Sequence, residues 1–170
     1  TAISGGGWYL FRQFNPEASL PSLTATQSEN EGSPEPRWIF DMSEAILSLV
    51  LVGDTIYVGS ESGVHALSIA DRHEKWRAET ENEVDALTVV DGTVYFGDVL
   101  DKCSLSASDG SEQWRFSVGL EVSEPPAVVD ESVYWKSGGL LYALSASDGS
   151  EQWRFSSGHE FGGAPVVVDE

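Results

Sequence analysis

The chain holds one cysteine, one methionine, three lysines and three asparagines in 170 residues. A lone Cys103 can form no disulfide within the chain and no cysteine metal cluster, and it leaves the redox compartment open. Cations are scarce: nine Lys and Arg face 28 Asp and Glu, a formal net charge of -19. Such a surface repels phosphate backbones and anionic lipid, which argues against nucleic acid and membrane surfaces as partners. Long apolar runs are missing as well. The longest, Ala45-Ile46-Leu47 followed by Leu49-Val50-Leu51-Val52, is far shorter than a membrane span, and no signal-peptide pattern is present. Position 1 is Thr, so a trimmed or excised chain is expected, and the missing targeting segment assigns no compartment. No stretch of Ala, Leu and Lys reads as a helix.

Carboxylates standing where lysines usually do suit a chain kept folded in concentrated salt, where self-repulsion is screened. An ordinary acidic secreted domain is the alternative. An apolar fraction of 41% with 6 Trp, 5 Tyr and 7 Phe provides for a sizeable core and argues against disorder.

What is abundant is repetition. Trp38, Trp76, Trp114 and Trp153 follow one another at intervals of 38, 38 and 39 residues, and Tyr57, Tyr95 and Tyr134 each stand 19 residues before the next tryptophan. The segment Ser106-Ala107-Ser108-Asp109-Gly110-Ser111-Glu112-Gln113-Trp114-Arg115-Phe116-Ser117 recurs letter for letter from Ser145 to Ser156. One unit reads as four short strands. In the last, these are Pro126 to Val129, Ser132 to Trp135, Leu140 to Leu144 and Glu151 to Phe155, separated by Asp130-Glu131, Lys136 to Gly139 and Ser147-Asp148-Gly149. Gly110 and Gly149 are expected at positive φ. In the first unit Arg72 replaces that glycine, so the Asp71-Arg72-His73 turn is expected to be less tidy.

Four antiparallel strands in about 38 residues predict one blade of a β-propeller. A blade has two apolar faces and stacks against its neighbours to bury them. The fourth-strand tryptophan is expected to fill the wedge between blades, with its N–H partnered. The fold class is therefore all-β, with complete blades at 46–79, 84–117 and 124–156. A lone fourth strand is expected at 36–41 and a lone first strand at 164–168, an incomplete ring whose open edges need the rest of its own propeller or a second chain. Residues 1–35 read as an N-terminal extension or linker, and 36–170 as the partial propeller.

These residues carry a family resemblance. Pro126-Ala127-Val128-Val129-Asp130, Ile56-Tyr57-Val58-Gly59, Val94-Tyr95-Phe96-Gly97 and Leu141-Tyr142-Ala143-Leu144 leading to Trp153-Arg154-Phe155 resemble the blade pattern of pyrroloquinoline-quinone-like (PQQ-like) repeat β-propellers, especially those of haloarchaea. Trp8 to Pro16 is similar to the segment that often precedes the first blade in haloarchaeal members. The family places Asp in the third strand and Thr in the following turn. Here Ser106 and Ser145 hold the first position and Asp109 and Asp148 the second, a trade that preserves turn-capping groups.

The resemblance implies fold and not activity. Quinone-dependent dehydrogenases of the wider family stack their cofactor on a disulfide of adjacent cysteines above a calcium ion, and Cys103 has no neighbouring cysteine. Asn occurs only at 15, 30 and 82, and no calcium-binding constellation is identifiable, so no catalytic, cofactor or metal residue is assigned. His65 is expected to be a packed strand residue, His73 replaces a turn serine, and His159 sits in an inter-blade loop. Ser60 and Gly63 flank a turn with no base in the sequence beside them, which leaves a serine hydrolase without footing, and no phosphate-cradling glycine motif occurs. Glu79, Glu81, Glu83, Asp85, Glu121, Glu124 and Glu160 crowd the inter-blade links and predict an acidic rim, solvated surface or a weak face for cations or basic partners. The first expectation is a non-catalytic scaffold or protein-interaction domain, extracellular or envelope-associated and adapted to high salt. By resemblance it is analogous to the outer-membrane assembly lipoprotein that shares this repeat. The alternative is a fragment of a quinone-dependent dehydrogenase.

Overall fold

The computed structural model describes residues 39–119, 124–159 and 162–165. The expected extension at 1–35 and most of the two lone strands at 36–41 and 164–168 lie outside the described residues, and Ile39 to Asp41 belong to no strand. The chain divides into Thr1–Ala45 and Ile46–Glu170, and every described strand belongs to the second unit.

Twelve strands and no helix are found among the described residues. The first sheet holds β1 (Ile46–Val52), β2 (Thr55–Ser60), β3 (Gly63–Ser68) and β4 (Glu74–Glu79). The second holds β5 (Ala86–Val90), β6 (Thr93–Gly97), β7 (Asp101–Ser106) and β8 (Glu112–Ser117). The third holds β9 (Ala127–Val129), β10 (Ser132–Ser137), β11 (Leu140–Ser145) and β12 (Glu151–Ser156). Each sheet is an antiparallel meander in sequence order, and the three do not close a ring.

Local sequence sets these hairpins. Asp91 and Gly92, at φ 48° and 77°, make the mirror-image two-residue turn whose twist matches its flanking strands. Lys136 and Ser137 remain paired in β10, so the next turn is only Gly138-Gly139, two residues shorter than the sequence suggested. The pairing register repeats: Ala66 faces Trp76, Ser104 faces Trp114 and Ala143 faces Trp153, with a register shift one residue later in every case.

Alternating side chains put one apolar face of each sheet against the next. Val64 and Ala66 of the first sheet meet Leu87, Phe96, Cys103 and Leu105 of the second, all buried. Tyr95 and Trp114 of the second meet Val133, Trp135, Tyr142 and Leu144 of the third. Each such aliphatic or aromatic side chain contributes ~1.5–3 kcal/mol on leaving water.

The fourth-strand tryptophans lock these faces together as expected. Trp76 Nε1 donates to the Ala107 carbonyl at 3.0 Å, and Trp114 Nε1 to the Ala146 carbonyl at 2.9 Å. Each ring lies on the left-handed glycine three residues beyond its acceptor. A Cβ on Gly110 would fall 2.5 Å from the Trp76 ring, and one on Gly149 2.5 Å from the Trp114 ring. In the turn itself, Asp109 Oδ1 accepts from the N–H and hydroxyl of Ser111 at 3.1 and 2.8 Å, and Asp148 does the same for Ser150 at 3.0 and 2.7 Å. These bonds hold both carboxyls below the usual Asp range.

The Arg72 turn is as well formed as its counterparts, contrary to the sequence expectation. Arg72 N–H donates to the Ser68 carbonyl at 2.9 Å, matching Gly110 to Ser106 at 2.8 Å and Gly149 to Ser145 at 2.9 Å. Backbone bonding decides the turn geometry, and the arginine meets it at φ 62° with the strain a side chain incurs there.

Glycine-to-alanine substitutions should separate docking from turn strain. Gly92→Ala, with nothing within 4 Å, should cost about 1 kcal/mol, whereas Gly149→Ala must also displace the Trp114 ring and should cost at least about 2 kcal/mol more. Trp114→Ala should cost ~3–5 kcal/mol. Urea midpoints of the three variants test this order, and equal losses at Gly92 and Gly149 would remove the docking argument.

Candidate functional site

Three features stand out: a polar line inside the first sheet, a buried lysine between the second and third sheets, and an exposed aromatic face on the third. The polar line arises because the strand positions at its ends are brought together by the β2–β3 hairpin and the β3–β4 pairing. His65 Nε2 lies 3.1 Å from Ser60 Oγ, and His65 Nδ1 lies 3.2 Å from Glu74 Oε1. Sequence reasoning placed no base beside Ser60, so this juxtaposition is a correction. The signal was available in the hairpin register, since His65 pairs with Val58 and Ser60 lies two residues further along the same strand face.

A serine–histidine–carboxylate line suggests a nucleophile, but the surroundings assign it another task. Ser60 is fully buried, its hydroxyl donates to the Gly63 carbonyl at 3.1 Å, and it accepts from Ser62 N–H at 3.3 Å. An oxygen closed off by its own turn cannot approach a substrate carbonyl carbon. At the same register position in the second sheet, Asp98 clasps the corresponding turn by accepting from Leu100 and Asp101 N–H at 2.8 and 2.7 Å. Ser60 is therefore a turn clasp, and His65, 3% exposed, is the packed strand residue expected from sequence. Among the other histidines, His73 stands in the Asp71 turn and His159 in an exposed link.

Lys102 is the feature sequence missed. It takes the register of Val64 and Leu141, where the other sheets carry aliphatic side chains, and it is completely buried. Its Nζ lies 5.5 Å from the centre of the Tyr142 ring in the third sheet and has no hydrogen-bond partner among the described residues. Burial pulls its pKa from 10.5 down to about 8, opposed by the carboxylates of Asp101 and Asp98. Beside it, Cys103 is sealed in the first core, and burial pushes its thiol up to about 12, so it is a packing residue and no nucleophile.

The acidic links are only partly described. Glu121 and Glu160 lie outside the described residues. Glu124 Oε1 pairs with Lys136 Nζ at 2.7 Å, and Glu79 pairs with Arg77. Among the described residues no three His, Cys, Asp or Glu side chains converge as metal ligands. A shallow cleft between the second and third sheets, bordered by Asp91, Tyr95, Asp130, Glu131 and Ser147, is acidic and holds no basic side chain.

The third feature is apolar. Trp153 and Phe155 of β12 are 45% and 56% exposed, although Tyr134 packs on Trp153 at 5.9 Å as Tyr95 packs on Trp114 at 6.0 Å.

Residues 96–170 match the protein family described as outer membrane protein assembly factor BamB. No curated protein matches the chain. Among solved structures, BamB from Moraxella catarrhalis is similar with a TM-score of 0.69 at 18% identity, over 78% of this chain and 47% of that one. Quinohemoprotein alcohol dehydrogenase from Comamonas testosteroni gives 0.57 at 21% identity, over 67% of this chain and 21% of that one. The computationally designed Ika4 protein gives 0.68 at 16% identity, over 75% and 82%. This chain thus spans about half the length of the Moraxella protein and about a fifth of the dehydrogenase. At these identities the likeness concerns the fold.

The buried lysine has a measurable consequence. Its folded pKa lies below the unfolded value, so between pH 8 and pH 10.5 the unfolded chain binds more protons and stability rises with pH. Lys102→Leu should be more stable than the parent by on the order of 2–3 kcal/mol at pH 7, and the gap should narrow steadily up to about pH 10.5. Urea unfolding of both proteins across that range provides the measurement; a constant gap would show that Lys102 is not held against its charge.

Proposed function

The chain is a β-propeller of the PQQ-like repeat family, and from that premise we propose that it is a non-catalytic scaffold that binds protein through its rim or faces, works in the cell envelope or outside the cell, and is adapted to concentrated salt. The observation carrying this reading is how the aromatic and reactive side chains are spent on the fold. Trp76 and Trp114 lock sheet to sheet, Ser60 clasps its own turn and Cys103 is sealed in a core. The match to a family described as an assembly factor supports a role in bringing proteins together. The description of that family also supports the envelope as the place of work. The net charge of -19 supports the salt adaptation and disfavours polyanionic partners.

The alternative, a piece of a quinone-dependent dehydrogenase, draws support from the fold likeness to the Comamonas enzyme. The described residues do not fit the quinone and its calcium. Cys103 is solitary and sealed in a core, the docked indoles have their faces covered by glycine turns, and no converging carboxylates are found among the described residues. No chemical step is derived through that group.

Salt and cofactor titrations distinguish the two readings. The Debye length falls from about 10 Å at 0.1 M to about 3 Å at 1 M, which removes most repulsion between separated surface carboxylates. Exposed ion pairs, worth ~0–1 kcal/mol each, lose little in return. The thermal midpoint should therefore rise as potassium chloride goes from dilute buffer to molar concentration, and micromolar calcium with pyrroloquinoline quinone should leave it unmoved. A flat or falling midpoint in chloride would remove the salt reading. A large rise with micromolar calcium and quinone would favour the dehydrogenase.

A further inference from the structure

One segment is repeated letter for letter in the second and third sheets, Ser106–Ser117 and Ser145–Ser156. Each copy contains a whole receiving turn: the carbonyl that takes an indole N–H, at Ala107 and Ala146, and the left-handed glycine under the ring, at Gly110 and Gly149. Trp76 and Trp114 therefore dock on turns that are chemically indistinguishable. The tryptophan lock sets how two sheets meet and carries no information about which two. Within one chain the short links at 80–85 and 118–126 keep the sheets in order. Between chains no link does so. While a chain folds, its second sheet can meet the second sheet of another copy, with Trp114 on Gly110 in place of Gly149. Misassembly of this kind is a characteristic failure of repeat proteins.

The residues packed between the locks are not interchangeable. Val64 and Lys102 hold the same register position in the first and second sheets, paired with Gly59 and Gly97. Cys103 and Tyr142 hold the same position in the second and third, paired with Phe96 and Trp135. At the first junction Val64 and Cys103 share one buried apolar cluster, with Ala78 packed against it. At the second, Phe116 stands where Ala78 does and packs edge-on to the Tyr142 ring at 6.0 Å, while Lys102 Nζ lies 5.5 Å from the centre of that ring. Lys102 is completely buried and its Nζ has no hydrogen-bond partner among the described residues, so the Tyr142 ring face is the compensation its ammonium finds in the third sheet. In a contact between two second sheets the same ammonium would be buried facing the Cys103 position, which offers a thiol and no ring. Burying a charge without compensation is strongly unfavourable.

We propose that Lys102 and Tyr142 form an address: they admit the third sheet, and exclude the second sheet of another copy, at a junction the tryptophan lock leaves undiscriminated. Lys102 thereby lowers stability and raises specificity. An aliphatic residue in its place would avoid the buried charge beside Tyr142, and it would also fit beside Cys103, as Val64 already does. The address acts during assembly of the fold and does not depend on what the protein binds.

Co-refolding of tagged and untagged full-length chains tests the address. The two are unfolded together in urea and refolded by dilution, and the untagged chain captured with the tagged one is measured. The same chains refolded separately and then mixed give the background from native association. Lys102→Leu should match or exceed the wild-type urea midpoint at pH 7, yet its co-refolded capture above background should be on the order of tenfold higher, the weight of one ordinary cation–π contact. Lys102→Met, which keeps the unbranched stem without the charge, should behave alike. Lys102→Arg and Tyr142→Phe each keep a cation over a ring face and should stay within about twofold of the wild type. Leucine and methionine variants that refold with no more capture than the wild type would overturn the proposal. So would an arginine variant that misassembles as the leucine variant does, or excess capture confined to variants less stable than the wild type, which would trace it to poor folding.

Discussion

One interaction organises the molecule: an indole that spans from the outer strand of one sheet to a turn of the next. Its N–H reaches a carbonyl and its ring covers a glycine that has no side chain to resist it. A four-stranded sheet with two apolar faces is not stable alone, and hydrophobic contact between sheets is non-directional. The tryptophan supplies direction. Because Trp76 and Trp114 find Ala107 and Ala146 with hydrogen bonds of 3.0 and 2.9 Å, adjacent sheets meet in one relative orientation, repeated along the chain.

Other features take their meaning from that lock. The tyrosine-on-tryptophan pairs within the three sheets, at 6.0, 6.0 and 5.9 Å, hold each indole in the same pose on its own sheet. The aspartate-capped turns hold the glycines at the conformation that receives the ring. Where aspartate and serine have exchanged places relative to the family pattern, either group serves, because the turn requires an acceptor for an N–H and does not depend on which residue provides it.

The polar residues of the interior illustrate how a repeat tolerates departures. Ser60 and Asp98 perform the same turn-clasping task with different groups, and His65 fills a register position that Cys103 and Tyr142 fill elsewhere. Lys102 is less comfortable. It occupies an aliphatic position, where burial favours the neutral form while the Tyr142 ring face and the nearby carboxylates favour the charge. Ser60, His65, Cys103 and Lys102 are all buried among the described residues. A serine–histidine–glutamate alignment here is a product of hairpin geometry, in which alternate residues on adjacent strands are neighbours by construction.

The sequence by itself determined the repeat, the four-strand unit, the equivalence of the tryptophans and the excess of acid, because these follow from spacing, β-branched and aromatic runs, and turn residues, all local or periodic properties. It also showed Arg72 to be out of pattern, although it wrongly suggested a less regular turn; backbone hydrogen bonds, which do not depend on the side chain, preserved it. Only the tertiary structure decided which indoles are buried. Trp76 and Trp114 occupy equivalent positions along the repeat, and Trp114 is buried by the third sheet that packs on it. It likewise brought His65 to Ser60 and Lys102 to Tyr142, since a contact across a hairpin or between sheets depends on register and stacking, and one-dimensional spacing carries neither until the sheets have docked.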